Sequence, residues 1–151
     1  MMGLNVIRTG LTVVTVALVF GLTSCHGGPS AADREARLTA ALESGGSGVV
    51  GAKAVITPSA AGGLTVTVRL SPEGVEPGGR EVAATTLSRV LEVTADNAAD
   101  IRATSLYLYA EDQAGDDLSF RDAATDLGLQ ESLNGDSLTL VAEEWTSFAE
   151  K

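Results

Sequence analysis

The seven residues Leu64-Thr65-Val66-Thr67-Val68-Arg69-Leu70 alternate apolar and polar side chains without a break. Successive side chains of an extended chain point to opposite faces. Leu64, Val66, Val68 and Leu70 therefore share one face, and Thr65, Thr67 and Arg69 share the other. A strand built this way has one face to bury and one to leave wet. The rest of the chain must supply a layer that covers the apolar face.

Helices can form that layer. Ser30 and Asp33 have the spacing of a capping pair, followed by helix-forming residues up to Glu43 with Leu38 and Leu42 one turn apart, and Gly45-Gly46-Ser47-Gly48 breaks the run. Residues 49–57 read as a strand with Val50, Ala52, Ala54 and Ile56 on one face, forming a hairpin with 64–70. Residues 71–79, rich in Pro and Gly, form a loop. Residues 80–96 then switch to the helical period, with Ala83, Leu87, Val90 and Thr94 on one stripe, Leu91 beside it and Asn97 as a stop. Residues 101–110 predict a third strand, with Leu106 and Leu108 on one face and Tyr107 and Tyr109 on the other. Ser119 and Asp122 can cap a short helix that stops at Gly128. Asn134-Gly135 signals a hairpin turn, followed by a short strand at 138–141 and a helix at 142–150. Leu138, Val141, Trp145 and Phe148 also fit a continuous helical spacing. The order α-β-β-α-β-α-β-α predicts an α+β domain: a small antiparallel sheet with helices packed on at least one face.

Charge narrows the partners. All 20 acidic residues lie after position 32, whereas Arg8 lies in the first 24 residues. Removing those 24 residues leaves 127 and takes the net charge from −10 to −11. Nucleic-acid binding rests on Lys and Arg displacing counterions, so a body this acidic predicts no nucleic-acid partner. The same sign opposes broad adhesion to anionic lipid.

The N-terminus has three zones: a short start carrying Arg8, the uncharged run Gly10 to Leu22 (GLTVVTVALVFGL), and Leu22-Thr23-Ser24-Cys25. A charged start, an apolar core of about 7–15 residues and small residues at the cut form a secretory signal peptide. The stretch from Thr9 to Ser24 is shorter than the roughly 20 residues that span a bilayer core. LTSC resembles the bacterial lipobox: Leu, a small or β-branched residue, Gly/Ala/Ser, then Cys. The resemblance implies a diacylglyceryl group on the Cys25 thiol and cleavage after Leu22, Thr23 and Ser24. The mature protein would then be held by lipid to the extracytoplasmic face of a cell membrane. Because His26 rather than Asp follows Cys25, a diderm cell would send it to the outer membrane. The expected organisation is a signal peptide at 1–24, a lipidated tether at 25–30 and a single α+β domain at 31–151.

Chemistry is constrained by what the sequence holds. There is one Cys and one His. The lipobox resemblance commits Cys25 to lipid and places His26 in the tether, so neither a Ser–His–Asp nor a Cys–His arrangement can be assembled. No phosphate-cradling Gly-rich motif occurs, and no cofactor is expected. The acidic loop Glu111, Asp112, Asp116 and Asp117 offers hard oxygen ligands for calcium, but it lacks the alternating pattern of a calcium-binding loop and reads as solvated. Tyr107 and Tyr109 share a face with Thr65, Thr67 and Arg69. Aromatics of a small domain are mostly core, and the favoured expectation is that Trp145 and Phe148 cover this face. The competing expectation is an exposed binding face of Tyr107, Tyr109 and Arg69. The resulting functional expectation is a non-catalytic, membrane-anchored domain that binds an envelope protein or ligand. Its alternatives are a carrier of an apolar ligand and an enzyme or calcium site on loop 111–117.

The lipobox assignment carries its own test. Cys25→Ser is expected to leave an unlipidated precursor that retains residues 1–24, read by intact-mass spectrometry. Normal processing of this variant would refute the assignment.

Overall fold

The computed structural model describes residues 28–45, 48–58 and 62–150. The signal segment, its cleavage residues Leu22, Thr23 and Ser24, and Cys25 and His26 lie outside the described residues. Among the described residues, no helix is long and apolar enough to cross a membrane.

Helix α1 (Ala31–Gly45) leads into strands β1 (Val49–Thr57) and β2 (Gly63–Leu70), then helix α2 (Ala84–Asn97) and strand β3 (Ser105–Glu111). Strand β4 (Asp117–Leu118), helix α3 (Arg121–Leu127), strands β5 (Leu133–Asn134) and β6 (Ser137–Val141), and helix α4 (Ala142–Thr146) follow. A 3-10 turn at Ser147–Glu150 extends α4. The strands form one six-stranded sheet in the order β1-β2-β3-β6-β5, with β4 also paired to β3. The fold is α+β.

The sheet is mostly antiparallel, with one departure at its centre. β2 and β3 run parallel, Gly63 opposite Ser105 and Arg69 opposite Glu111. Parallel neighbours need a crossover, and α2 provides it by carrying the chain back to the end of the sheet where β2 began. β6 pairs with residues 105–108 of β3 and β4 with residues 110–111, so the two lie end to end along the same side of β3.

Burial follows the alternation seen in the sequence. Leu64, Val66, Val68, Leu70, Leu106, Leu108, Leu138 and Leu140 are all buried, facing Leu38 and Leu42 of α1 and Leu87, Val90 and Leu91 of α2. Residues of the opposite parity are half-buried or exposed, and among the described residues no layer covers this second face of the sheet.

Three local expectations are corrected. The register of β1 shifts between Val49 and Gly51, and this bulge turns Val49 into the core while Val50 is exposed. Helix α2 begins at Ala84 rather than 80, because Glu81 and Val82 are taken up in bridges to Ser119 and Val75. Strand β3 begins at Ser105 rather than 101. The final hairpin turns on Gly135 and Asp136, between Asn134 and Ser137. Gly135 has φ 67° and Asp136 a negative φ, as a type II′ turn requires.

Besides burying Leu38 and Leu42, helix α1 is held by an N-terminal cap, by arginines that reach Asp100 and by one polar stripe. Ser30 Oγ accepts from the Asp33 N–H at 3.2 Å, and the Asp33 carboxylate accepts from the Ser30 N–H at 3.0 Å, closing a capping box. The Ser30 hydroxyl also donates to that carboxylate and, with the backbone N–H, holds the Asp33 carboxyl below its usual range. Arg37 donates to Asp100 just beyond α2, and this bond holds the Asp100 carboxyl below its ordinary value, with Arg34 adding a smaller attraction. Along the helix, Glu35, Thr39 and Glu43 recur every four residues and face the outer edge of β1. They accept from the backbone N–H groups of Ile56 (2.6 Å), Ala54 (3.2 Å) and Ala52 (3.2 Å). An open edge of this kind is a template for unwanted strand pairing, and the three side chains occupy it.

Glu35→Ala is expected to leave the Ile56 N–H without its acceptor and to cost about 1 kcal/mol, read as a lowered thermal midpoint. Glu143→Ala, exposed on α4, is expected to stay within about 0.5 kcal/mol of the parent.

Candidate functional site

Pairing β2 with β3 in parallel builds four cross-strand rows on the open face. Thr57, Gly63, Ser105 and Val141 form the first, and Val55, Thr65, Tyr107 and Thr139 the second. Lys53, Thr67 and Tyr109 form the third, and Gly51, Arg69, Glu111 and Asp117 the fourth. The face is thus uncharged at one end and carries two cations and two anions at the other.

Tyr107 and Tyr109 are 38% and 43% exposed, which decides between the two expectations for this face. Trp145 and Phe148 do not cover it. They are buried on the opposite side of the sheet, where α4 and the following 3-10 turn pack on α2. The cause is local. The Glu144 carboxylate accepts from the Val141 N–H at 2.9 Å, and the Ala142 N–H donates to the Thr104 carbonyl at 3.0 Å, so the chain leaves β6 toward the helical layer. Both tyrosines of the chain therefore stand two residues apart on the same wet face. Tyr107 leans along the sheet, and a Cβ on Gly63 would lie 3.4 Å from its Cε2 atom.

The structure brings Arg69 to the same face, beside Glu111, which ends β3 rather than lying in the acidic loop. Arg69 Nη2 lies 3.5 Å from Glu111 Oε2. Next to this pair, beside the β1 bulge, lies a groove of about 440 Å³, lined by Gly51 and Ala52 and walled by Glu43, Lys53, Thr67, Arg69 and Glu111. Thr67 links the groove to the tyrosines, because it is the register partner of Tyr109. Glu43 and Gly51 were not singled out in the sequence as site residues. The available signal was the four-residue recurrence of Glu35, Thr39 and Glu43, a stripe of acceptors along one face of the helix.

The remaining acidic residues of loop 111–117 are used differently. Asp112 Oδ1 accepts from the N–H groups of Ala114 (2.8 Å) and Asp116 (2.9 Å), closing the turn between β3 and β4. Among the described residues, no group of three or more His, Cys, Asp or Glu side chains is placed to hold a metal ion.

No protein-family model, curated protein or solved structure matches the chain.

Arg69 and Glu111 are both accessible, with side chains 54% and 32% exposed. Exposed pairs of this kind contribute less than about 1 kcal/mol. A double-mutant cycle of Arg69→Ala and Glu111→Gln, read by thermal unfolding, is expected to return a coupling below about 1 kcal/mol. A larger value would make the pair a structural clamp and not a surface free to meet a ligand.

Proposed function

We propose that this chain is a lipid-anchored envelope domain that binds through the open face of its sheet and performs no catalysis. The observation that carries the reading is the exposure of Tyr107 and Tyr109 beside Arg69 on a face that no element among the described residues covers. Tyrosine presents an apolar body and a polar tip, a combination suited to binding surfaces. In this reading Cys25 carries the lipid, and the five residues between Cys25 and α1 hold the domain within about 20 Å of the bilayer, at about 3.3–3.6 Å per residue. Two acyl chains on a diacylglyceryl cysteine are enough for stable attachment.

A carrier of an apolar ligand draws little support from the interior. The space between sheet and helices is filled by large side chains, among them Leu38, Leu42, Leu87, Leu91, Phe120 and Trp145, each fully buried.

The test is native mass spectrometry of the full-length protein extracted from its membranes in mild detergent. The expected result is a mature chain beginning at Cys25, carrying lipid, together with a further bound species. Tyr107→Ala/Tyr109→Ala is expected to lose that species while keeping its unfolding free energy within about 1 kcal/mol of the parent, since both side chains are surface groups. Retention of the species by the double variant would overturn the assignment of the face. Retention of residues 1–24 without lipid would overturn the anchor.

A further inference from the structure

The groove at the Gly51 bulge has a specific chemical balance. Lys53 and Arg69 contribute two cations, Glu43 and Glu111 two anions, and Thr67 a hydroxyl. The wall is therefore neutral in a chain whose net charge is −10. An anionic ligand calls for donors and a cationic ligand for acceptors. This groove presents both in equal number, the pattern that suits a ligand whose own groups donate and accept together. Hydroxyl groups do this. Beside the groove, Tyr109 and then Tyr107 add two aromatic side chains and the hydroxyls of Thr65 and Thr139 along adjacent rows. Aromatic side chains provide an apolar surface for the C–H faces of a sugar ring, and the phenol tips provide further polar contacts.

The site is elongated. The groove, Tyr109 and Tyr107 lie on successive rows about 6.8 Å apart along the strand direction, so a narrow linear ligand can run from the groove past Tyr109 to Tyr107.

We propose that the groove walled by Glu43, Lys53, Arg69 and Glu111, with Tyr109 and Tyr107 beyond it, binds an uncharged glycan chain of the cell envelope. This rests on the open face being the binding surface, and the experiment separates the two claims. A photo-crosslinking benzoylphenylalanine is placed at Thr67, between groove and tyrosines, in the full-length protein within the cells that make it. Thr85, exposed on α2, is the control position. The expected product from position 67 is a heterogeneous adduct that survives exhaustive proteolysis as a modified peptide and is degraded by periodate. Tyr109→Ala is expected to reduce it about tenfold, and position 85 is expected to give none. A discrete adduct that proteolysis removes would overturn the glycan and leave the face as a protein-binding surface. Absence of any adduct at position 67, or equal adducts at 67 and 85, would overturn both.

Discussion

The parallel pairing of β2 with β3 is the constraint on which the rest of this molecule depends. It places the apolar parity of both strands on one side, Leu64 with Leu106 and Val66 with Leu108, so a single helical layer suffices to bury them. It also requires α2 as a crossover, and α2 in turn provides the surface on which α1, α3 and the C-terminal turn dock. The other parity is set by the same register. Thr65 meets Tyr107, Thr67 meets Tyr109 and Arg69 meets Glu111 because β3 starts opposite the start of β2. A slip of one residue would send the tyrosines into the core and the leucines into water.

A sheet covered on one side faces two hazards, an open edge and an open face, and this chain treats them differently. The β1 edge is closed by side chains: Glu35, Thr39 and Glu43 accept from three backbone N–H groups that no strand pairs. The far edge is kept to the two residues of β5. Among the described residues the open face has no such cover. Its residues are mostly Thr, Ser, Tyr and charged side chains, with Val55 and Val141 the large aliphatic residues exposed on it. That composition keeps the face soluble and still leaves it aromatic and hydrogen-bonding. The same helix serves both hazards, since Glu43 closes the edge and also walls the groove that begins there.

Much of the architecture was legible because burial on one side writes a period of two into a strand. Leu64 to Leu70 and Leu106 to Leu108 revealed their faces, and Ser30 with Asp33 revealed the start of α1. Period two carries no information about strand direction, so the parallel centre of the sheet was not legible. Other misses share one physical cause, tertiary contacts overriding a local pattern. Val50 fits the alternation of β1 better than Val49 does, but the bulge at Gly51 reverses them. Residues 80–83 fit the helical stripe, but Val82 gains a backbone partner at Ser119 and stays extended. The covering of Tyr107 and Tyr109 by Trp145 and Phe148 was plausible from composition, and it failed because the hydrogen bonds at Val141 and Ala142 direct the last helix to the other side.

The candidate site was legible in part for the same reason. Tyr107, Tyr109 and Arg69 lie on strands whose facing could be read, and the parallel register then makes them near neighbours. The groove was not legible, because its walls come from four segments whose approach depends on the bulge and on how α1 lies along β1. Its character follows from that construction. A helix that closes an edge with carboxylates must bring negative charge to the rim of the sheet. Lys53 and Arg69, alternating along adjacent strands, answer it from the open face. The neutrality of the groove is thus a consequence of edge protection combined with cross-strand pairing. A site formed in this way has donors and acceptors already in place, held by backbone geometry rather than by flexible loops, and this preorganisation limits what a ligand must pay in ordering the protein on binding.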